Sequence, residues 1–247
     1  MQEIIIVSKL SKSYGTHKVL DNLDFVVGKG KVLGLLGSNG AGKSTSMECI
    51  LGTKSMDTGN VRILGMNPVI QRKQLFEKIG VQFQELNYQR EIKVSELCEE
   101  TASLYQSPLD YQKLLEKFGI PEHEHSYVKD LSGGQRQRLF IVLALIPNPD
   151  VIFMDELTTG LDAKARRDVW KVLKSLKEEG MTMILTSHFM NEVEILCDDI
   201  IILNKGKMAY QGTVEQAIIQ SPYSKFEDAY LWYAGEEVEV EEDENIW

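Results

Sequence analysis

Residues 37–45, GSNGAGKST, match the phosphate-loop pattern G-x-x-x-x-G-K-[ST] at every fixed position. The apolar residues 31–37 predict a buried strand before this loop, and residues 43–51 predict a helix after it, which is the context that the pattern requires. Its glycines let the backbone turn tightly, so that successive N–H groups and a helix N-terminus can face one anion. A glycine-rich loop that matches by chance is the alternative. We predict a nucleoside triphosphate site formed by Gly37, Ser38, Asn39, Gly40, Ala41, Gly42, Lys43, Ser44 and Thr45.

Within this loop, Lys43 is expected to reach the outer phosphates and Ser44 to supply a hydroxyl group to Mg²⁺. A carboxylate for the same metal is predicted at a strand end. Residues 151–154 are apolar and lead directly to Asp155 and Glu156, as expected for a buried parallel strand with function at its carboxyl end. Two adjacent carboxylates could also form a solvated turn. An apolar strand downstream of a phosphate loop, however, is where a magnesium-holding aspartate is required.

A further strand is predicted over residues 182–186, and His188 follows its end. A lone histidine is often structural, but this one lies beside the other predicted strand ends. Residues 131–135, LSGGQ, precede a helix predicted over residues 136–145, with Ser132 as its N-cap. Two glycines there allow close backbone approach, so a second anion site and a plain capped turn are both consistent with this segment.

The remaining elements surround these segments. Two early strands are predicted over residues 3–10 and 19–27, with Tyr14 in the loop between them, where it could stack on a nucleotide base or be an ordinary surface tyrosine. From about residue 87 to 130 the apolar residues recur with the spacing of α-helices, which predicts a helical insert. His123 and His125 in the last loop of this insert lack a third ligand, so we interpret them as solvated. Asp162 lies at the start of an amphipathic helix predicted over residues 162–179.

The composition limits the possible partners and location. Hydrophobic residues make up 43% of the 247-residue chain, but no apolar run approaches the roughly 18 residues that cross a bilayer. The sequence MQEIIIVSKL lacks the charge pattern of a signal peptide, and the three cysteines form no CxxC pair, so we expect a chain that stays in the cytosol. A net charge of −10 argues against a nucleic-acid partner. Residues 236–247 are rich in Asp and Glu without Lys or Arg, which predicts a solvated, disordered tail.

Together these motifs resemble the ATPase subunit of the ATP-binding cassette (ABC) transporter family, and the resemblance covers residues 3–235. LSGGQ is its most discriminating part. The matching positions are the phosphate loop at 37–45, the glutamine loop at Gln84, the signature at 131–135 with Ser132, Gly133, Gly134 and Gln135, the acidic strand ending at Asp155 and Glu156, the partner-contacting loop with Asp162, the switch histidine His188 and the base-stacking Tyr14. The sequence departs from the family pattern at Ser38 and Leu157, which stand where proline is usual.

The resemblance implies a fold as well as a function. The expected fold class is α/β: a P-loop NTPase core, with a mainly parallel sheet and helices on both faces, joined to an antiparallel β subdomain and an α-helical insert. We expect one ATP-binding domain over residues 1–235, with the helical subdomain at about 87–131. The implied function is hydrolysis of ATP with Mg²⁺, with Ser44, Gln84 and Asp155 at the metal, Glu156 polarising the attacking water and His188 contacting the γ-phosphate.

The implied assembly is a head-to-tail dimer of cassettes, identical or different, in which ATP lies between one phosphate loop and the other signature. This dimer would drive separately encoded transmembrane permease subunits from the cytoplasmic face of the membrane. The segment KFEDAYLWYAG, at 225–235, resembles the closing segment of drug, antibiotic and antimicrobial-peptide exporters. A soluble ABC ATPase that acts on a macromolecular complex is the alternative, although such proteins carry two cassettes or a long coiled coil, which this sequence lacks.

Overall fold

The structure is a computed structural model that describes residues 2–82, 88–89, 91–156, 158 and 160–238. Its strands are β1 (Glu3–Tyr14), β2 (His17–Gly28), β3 (Val32–Gly37), β4 (Thr58–Ile63), β5 (Ile79–Gln82), β6 (Val151–Met154), β7 (Thr182–Thr186), β8 (Asp199–Asn204) and β9 (Lys207–Gly212). Its helices are α1 (Lys43–Ile50), α2 (Arg72–Phe76), α3 (Val94–Ser103), α4 (Tyr111–Lys117), α5 (Gly133–Leu145), α6 (Ala163–Glu178), α7 (Met190–Leu196), α8 (Val214–Gln220) and α9 (Phe226–Ala234).

The central sheet has six strands in the order β5-β6-β7-β3-β8-β9. The first five are parallel and β9 pairs antiparallel with β8. Buried on both faces, the parallel strands are almost continuously apolar, as expected when helices cover both sides of a sheet. The predicted α/β class with a mainly parallel sheet is confirmed.

Alternate residues of β6 divide the core into two layers. Ile152 and Met154 pack with the helical layer that contains α5 and α6. Val151 and Phe153 point to the other face, where they pack with α1 and the second sheet. This alternation follows from the two-residue period of a strand. The strand is therefore held by apolar packing on both of its faces.

The second sheet is antiparallel, with the order β2-β1-β4. Its strands β1 and β2 are longer than the sequence predicted, because pairing continues through several register shifts as far as Tyr14 and His17. Only Gly15 and Thr16 remain between the strands. Tyr14 is thus the last residue of β1 and does not lie in a long loop.

The predicted helical insert contains α3, α4 and two short 3-10 helices, Pro121–His123 and Val128–Asp130, before α5 begins. Its apolar side chains join those of α5 in one cluster. Sequence patterns did not assign α8 and α9, which pack on β8 together with α7. Within the described part of the chain, no helix has the length and hydrophobicity that a membrane span requires.

Replacing Phe153 with alanine should destabilise the protein strongly. The side chain is fully buried between the central sheet and α1, so its loss leaves a cavity that costs about 3–5 kcal/mol in the free energy of unfolding. Val26→Ala, on a residue that is 46% exposed, is the control and should change this free energy by less than about 0.5 kcal/mol. Urea unfolding of both variants tests the packing, and equal midpoints would contradict it.

Candidate functional site

The predicted phosphate loop connects β3 to α1 at the carboxyl edge of the central sheet. Gly42 is the N-cap of α1 and has a left-handed backbone with φ of 108°. A Cβ atom on Gly42 would lie 2.6 Å from Leu20 Cδ2, and one on Gly37 would lie 2.6 Å from the Leu203 carbonyl oxygen. The turn therefore requires glycine at both positions. The Gly206 N–H in the β8–β9 turn donates to the Ala41 carbonyl at 3.2 Å, and this hydrogen bond attaches the phosphate loop to that turn.

Lys43 is 7% exposed and folds over this loop. Its Nζ donates to the carbonyl oxygens of Gly37 at 2.6 Å and Ser38 at 3.1 Å. Burial lowers the pKa of Lys43, while the negative charges of Glu156 and Asp155 raise it. The Lys43 ammonium group thus lies in the electrostatic field of the two carboxylates that follow β6. The sequence predicted that these three residues belong to one site.

Thr186, the last residue of β7, holds both of these acidic residues. Its Oγ1 donates to Asp155 Oδ1 at 2.5 Å and accepts the backbone N–H of Glu156 at 2.8 Å. Glu156 has a left-handed backbone with φ of 51°, a conformation that side chains other than glycine rarely adopt. The hydrogen bond from its N–H helps to stabilise this strained turn.

Gln82, at the end of β5, supports Asp155 from the opposite side. The Gln82 side-chain Nε2 donates to the Asp155 backbone carbonyl at 3.3 Å, and the Gln82 backbone carbonyl accepts the Asp155 backbone N–H at 3.0 Å. Sequence reasoning missed both Gln82 and Thr186. A signal existed, because each is a buried polar residue at the end of an apolar strand, and buried polar groups require partners.

His188 and Glu156 lie together, although they follow different strands. His188 Nε2 is 3.3 Å from Glu156 Oε1, and both side chains are partly exposed at the edge of the sheet. An ionised carboxylate can only accept, so the imidazole Nε2–H is the donor. Since Glu156 is also within the electrostatic reach of Lys43, four predicted site residues share one region: Lys43, Asp155, Glu156 and His188.

The signature forms the predicted capped helix start. Ser132 is the N-cap of α5: its Oγ accepts the Gln135 N–H at 3.2 Å, and its own N–H donates to Gln135 Oε1 at 2.8 Å. The Gln135 Nε2 then faces His123 Nε2 at 2.7 Å. His123 is half-buried by this contact, so the interpretation of its side chain as solvated is wrong.

The signature glycines lie next to the start of α6. A Cβ atom on Gly133 would be 3.8 Å from the Gly160 carbonyl, and one on Gly134 would be 3.2 Å from Leu161 Cδ2. Asp162 caps α6 by accepting the Ala165 N–H at 2.8 Å. The predicted partner-contacting loop therefore packs on the signature of its own chain.

Tyr14 is exposed at the end of β1, with Lys54 Nζ 5.4 Å from its ring centroid, and Lys54 pairs with Glu48 of α1. Gln84 lies outside the described residues, as does Leu157.

The described donor set fits a magnesium ion. Ser44, in the first turn of α1, is an exposed residue with a hydroxyl group, and Asp155, directly after β6, is partly exposed. Both are oxygen donors, and Mg²⁺ is usually held by one or two such protein groups together with water and phosphate oxygens. No cluster of three or more His, Cys, Asp or Glu that could form a complete protein cage occurs in the described ranges.

Replacing Thr186 with valine should slow ATP hydrolysis by roughly 10- to 100-fold, because a small displacement of catalytic groups has effects of this size. The substitution keeps the side-chain shape but removes the hydroxyl that holds Asp155 and Glu156. Thr182→Val is a matched control at the other end of β7, where the lost bond is from the Gly30 N–H. Steady-state hydrolysis should distinguish the two variants; equal rates would refute a role for Thr186.

Comparisons with known proteins agree with this geometry. The sequence profile described as "ABC transporter" matches residues 20–159. The Nod factor export ATP-binding protein I of Cupriavidus metallidurans is 38% identical over 224 residues, which are 88% of this chain and 74% of that protein. An uncharacterized ABC transporter ATP-binding protein of Methanocaldococcus jannaschii is 34% identical over 92% of this chain and 84% of its own length.

Solved structures show the same fold. An ATP-binding subunit of an ABC transporter superposes with a TM-score of 0.84 at 26% identity, over 93% of this chain and 99% of that chain. A dimeric structure of a bacterial ABC transporter cassette gives a TM-score of 0.78 at 25% identity, over 85% and 98% of the two chains. The sequence profile, the relatives and the superposed cassettes agree with the motif geometry, and this chain therefore belongs to the ABC transporter family as one of its ATP-binding subunits.

Proposed function

We propose that this chain works as one of two cassettes that bind ATP and Mg²⁺ between them and drive export through separate transmembrane permease subunits. Each nucleotide would contact the phosphate loop of one cassette and the signature of the other. The dimeric structure of a similar cassette supports pairing of this kind. The names of the relatives, which are ATP-binding proteins for Nod factor export, support the direction of transport.

One observation carries the proposed shared site: the chain has two glycine-rich helix N-termini, those of α1 and α5, with separate surroundings. The phosphate loop packs on β2 and on the β8–β9 turn, through Leu20, Leu203 and Gly206. The start of α5 packs on Gly160, Leu161 and His123. A single triphosphate uses both sites most simply when the second comes from another chain.

Residues at the sheet edge have complementary roles in this proposal. Lys43 and the loop amides bind the phosphates, and Glu156 is the base for the attacking water, oriented by Thr186 and paired with His188. The His188 imidazole would contact the γ-phosphate. Ser44, Asp155 and Gln84 would hold Mg²⁺, whose charge assists phosphoryl transfer when it is bound.

An apolar groove of about 240 Å³ supports a permease partner. It lies between the edge strand β5 and the helical insert and is lined by Phe76, Val81, Tyr88, Leu97, Tyr105 and Leu143. Tyr88 and Leu97 also line an adjoining hollow, whose rim carries the exposed Leu104. A groove of this form fits an amphipathic helix from a cytoplasmic loop of a membrane protein. The insert, at about residues 87–131, would then transmit the closure of the dimer, and the chain would lie peripherally on the cytoplasmic face of the membrane.

The acidic segment, 236–247, is proposed to lie outside the ATP-binding domain of residues 1–235. Glu236 follows the left-handed Gly235 that ends α9, and its N–H still donates to the Leu231 carbonyl at 3.0 Å. Burial lowers the pKa of Lys43, and the charges of Glu156, Asp155 and Glu236 oppose that shift, which supports a start of this segment on the Lys43 side of the sheet.

Mixing two defective proteins tests the shared site. Lys43→Ala and Ser132→Arg should each prevent ATP-dependent dimer closure, because a homodimer carries the defect in both sites. In a mixed dimer one site receives both defects and the other is intact, so closure should be partly restored. Closure can be measured by size-exclusion chromatography with ATP.

A mixture of two differently tagged Lys43→Ala proteins is the control and should not close. Pull-down between the tags establishes that heterodimers form. If heterodimers form and closure does not return, or if either single variant closes normally, the shared-site proposal is wrong.

Docking on a permease predicts membrane association through the groove. Leu104→Asp places a charge at its rim, where the side chain is 73% exposed, and should reduce the share of the protein that sediments with the membranes of its own cells. Ile219→Asp on α8 is a matched control with 74% exposure and should leave this share unchanged. Wild-type protein that stays in the soluble fraction with a macromolecular complex would overturn the transporter proposal in favour of a soluble ABC ATPase.

A further inference from the structure

Glu192 is a fully buried carboxylate on α7 that the functions described above do not use. Ser187 Oγ donates to its Oε2, and Trp170 Nε1 donates to its Oε1 at 2.9 Å. Burial raises the pKa of Glu192, and the hydrogen bonds from Ser187 and Trp170 oppose that shift. Burying a carboxylate in a protein core is energetically costly unless its oxygens accept hydrogen bonds. Here the donors Ser187 and Trp170 each satisfy one of the two oxygens.

The two donors belong to different functional segments. Ser187 directly precedes His188, and its Oγ also accepts the Phe189 N–H at 3.0 Å, so the hydrogen bond to Glu192 fixes the turn that carries the histidine. Trp170 lies on α6, whose N-cap is Asp162. Glu192 therefore joins the histidine turn to the helix that begins at the proposed partner-contacting loop.

Thr158 and Arg166 extend this connection to the loop itself. Burial raises the pKa of Glu192, and the buried Thr158 hydroxyl, like Ser187 and Trp170, opposes that rise. The positive charge of Arg166 also opposes the rise in the pKa of Glu192. The guanidinium carbon of Arg166 lies 3.6 Å from the Phe189 ring centroid, and its Nη2 donates to the Leu161 carbonyl at 3.5 Å. Thr158 Oγ1 and Arg166 Nε are both buried without a hydrogen-bond partner among the described residues. A small shift of this loop would thus change how the cluster is paired.

We propose that Glu192 is a positioning residue that couples His188 to the loop containing Thr158 and Leu161, and through that loop to the signature. This inference rests on the proposed function, in which His188 contacts the γ-phosphate and the loop meets the partner cassette. A displacement of His188 moves Ser187, and Glu192 passes the displacement to α6 and to Leu161, which packs on Gly134. The carboxylate suits this role because it accepts from two donors at once, whereas a glutamine has one acceptor oxygen and turns an NH₂ group toward the other donor.

Steady-state kinetics of Glu192→Gln test the coupling. We expect kcat for ATP hydrolysis to fall by about 10- to 100-fold while KM changes less than about two-fold, because the nucleotide contacts remain and the histidine turn is misplaced. Glu194→Gln, on the same helix but exposed, is the matched control and should keep the wild-type kcat. A wild-type kcat in Glu192→Gln would overturn the inference.

A second substitution separates positioning from a purely structural role. In a His188→Ala background, Glu192→Gln should cause little additional loss of kcat, because a residue that acts through His188 has no effect once His188 is absent. Losses that multiply independently would show that Glu192 only stabilises the fold. The unfolding midpoint of each variant is measured alongside, so that kcat refers to folded protein.

Tryptophan fluorescence provides a readout that does not depend on turnover. In a parent protein with Trp232→Phe and Trp247→Phe, fluorescence emission comes from Trp170 alone. Binding of ATP with Mg²⁺ should shift the Trp170 emission maximum in this parent protein but not after Glu192→Gln is added to it. An unchanged shift in Glu192→Gln would contradict the coupling. Failure of the proposed function can be told apart from failure of this inference. It would appear as dimer closure that does not return when Lys43→Ala and Ser132→Arg proteins are mixed, independently of the results for Glu192→Gln.

Discussion

The parallel register of β6, β7 and β3 is the constraint on which the site depends. Leu35 of β3 pairs with Thr186 of β7, and Met154 of β6 pairs with Leu185 of β7, so the three strands end at the same edge. The phosphate loop, the two carboxylates and the histidine all follow these ends within a few residues. Residues more than 100 positions apart therefore meet without long loops, and the apolar layers on both faces keep the strand ends fixed.

This edge concentrates several features that would be unfavourable elsewhere. Glu156 has a left-handed backbone, which costs about 1–3 kcal/mol. Lys43 is a buried cation, and Asp155 and Glu156 are neighbouring anions. The Thr186 hydroxyl reduces this cost by serving both acidic residues at once, as a donor to one and an acceptor for the other. The strain is compatible with the fold because apolar packing on both faces of the sheet holds the strands beneath it.

Much of the fold could be predicted from local patterns. Apolar runs gave the parallel strands, the phosphate-loop pattern gave the β3–α1 connection, and Ser132 and Asp162 cap the helices that were expected after them. Gln82 and Thr186 could not be predicted in the same way. Their roles depend on β5 and β7 flanking β6, and the sequence order of strands does not determine that arrangement. His123 was misinterpreted for a related reason, because the chain between it and its partner Gln135 includes the 3-10 helix Val128–Asp130 and the start of α5, whose path the sequence leaves open.

The phosphate loop and the signature are attached to the central sheet in different ways. The phosphate loop is fixed to the sheet by β3 and by the β8–β9 turn. The signature opens α5, which packs on β5 and β6, and its glycines face Gly160 and Leu161 in the loop before α6. In the coupling proposed above, a change at the γ-phosphate reaches the signature of the same chain through the loop before α6. Glu192 lies where the histidine turn and α6 meet, so its carboxylate connects the turn that carries His188 to the helix that begins at that loop.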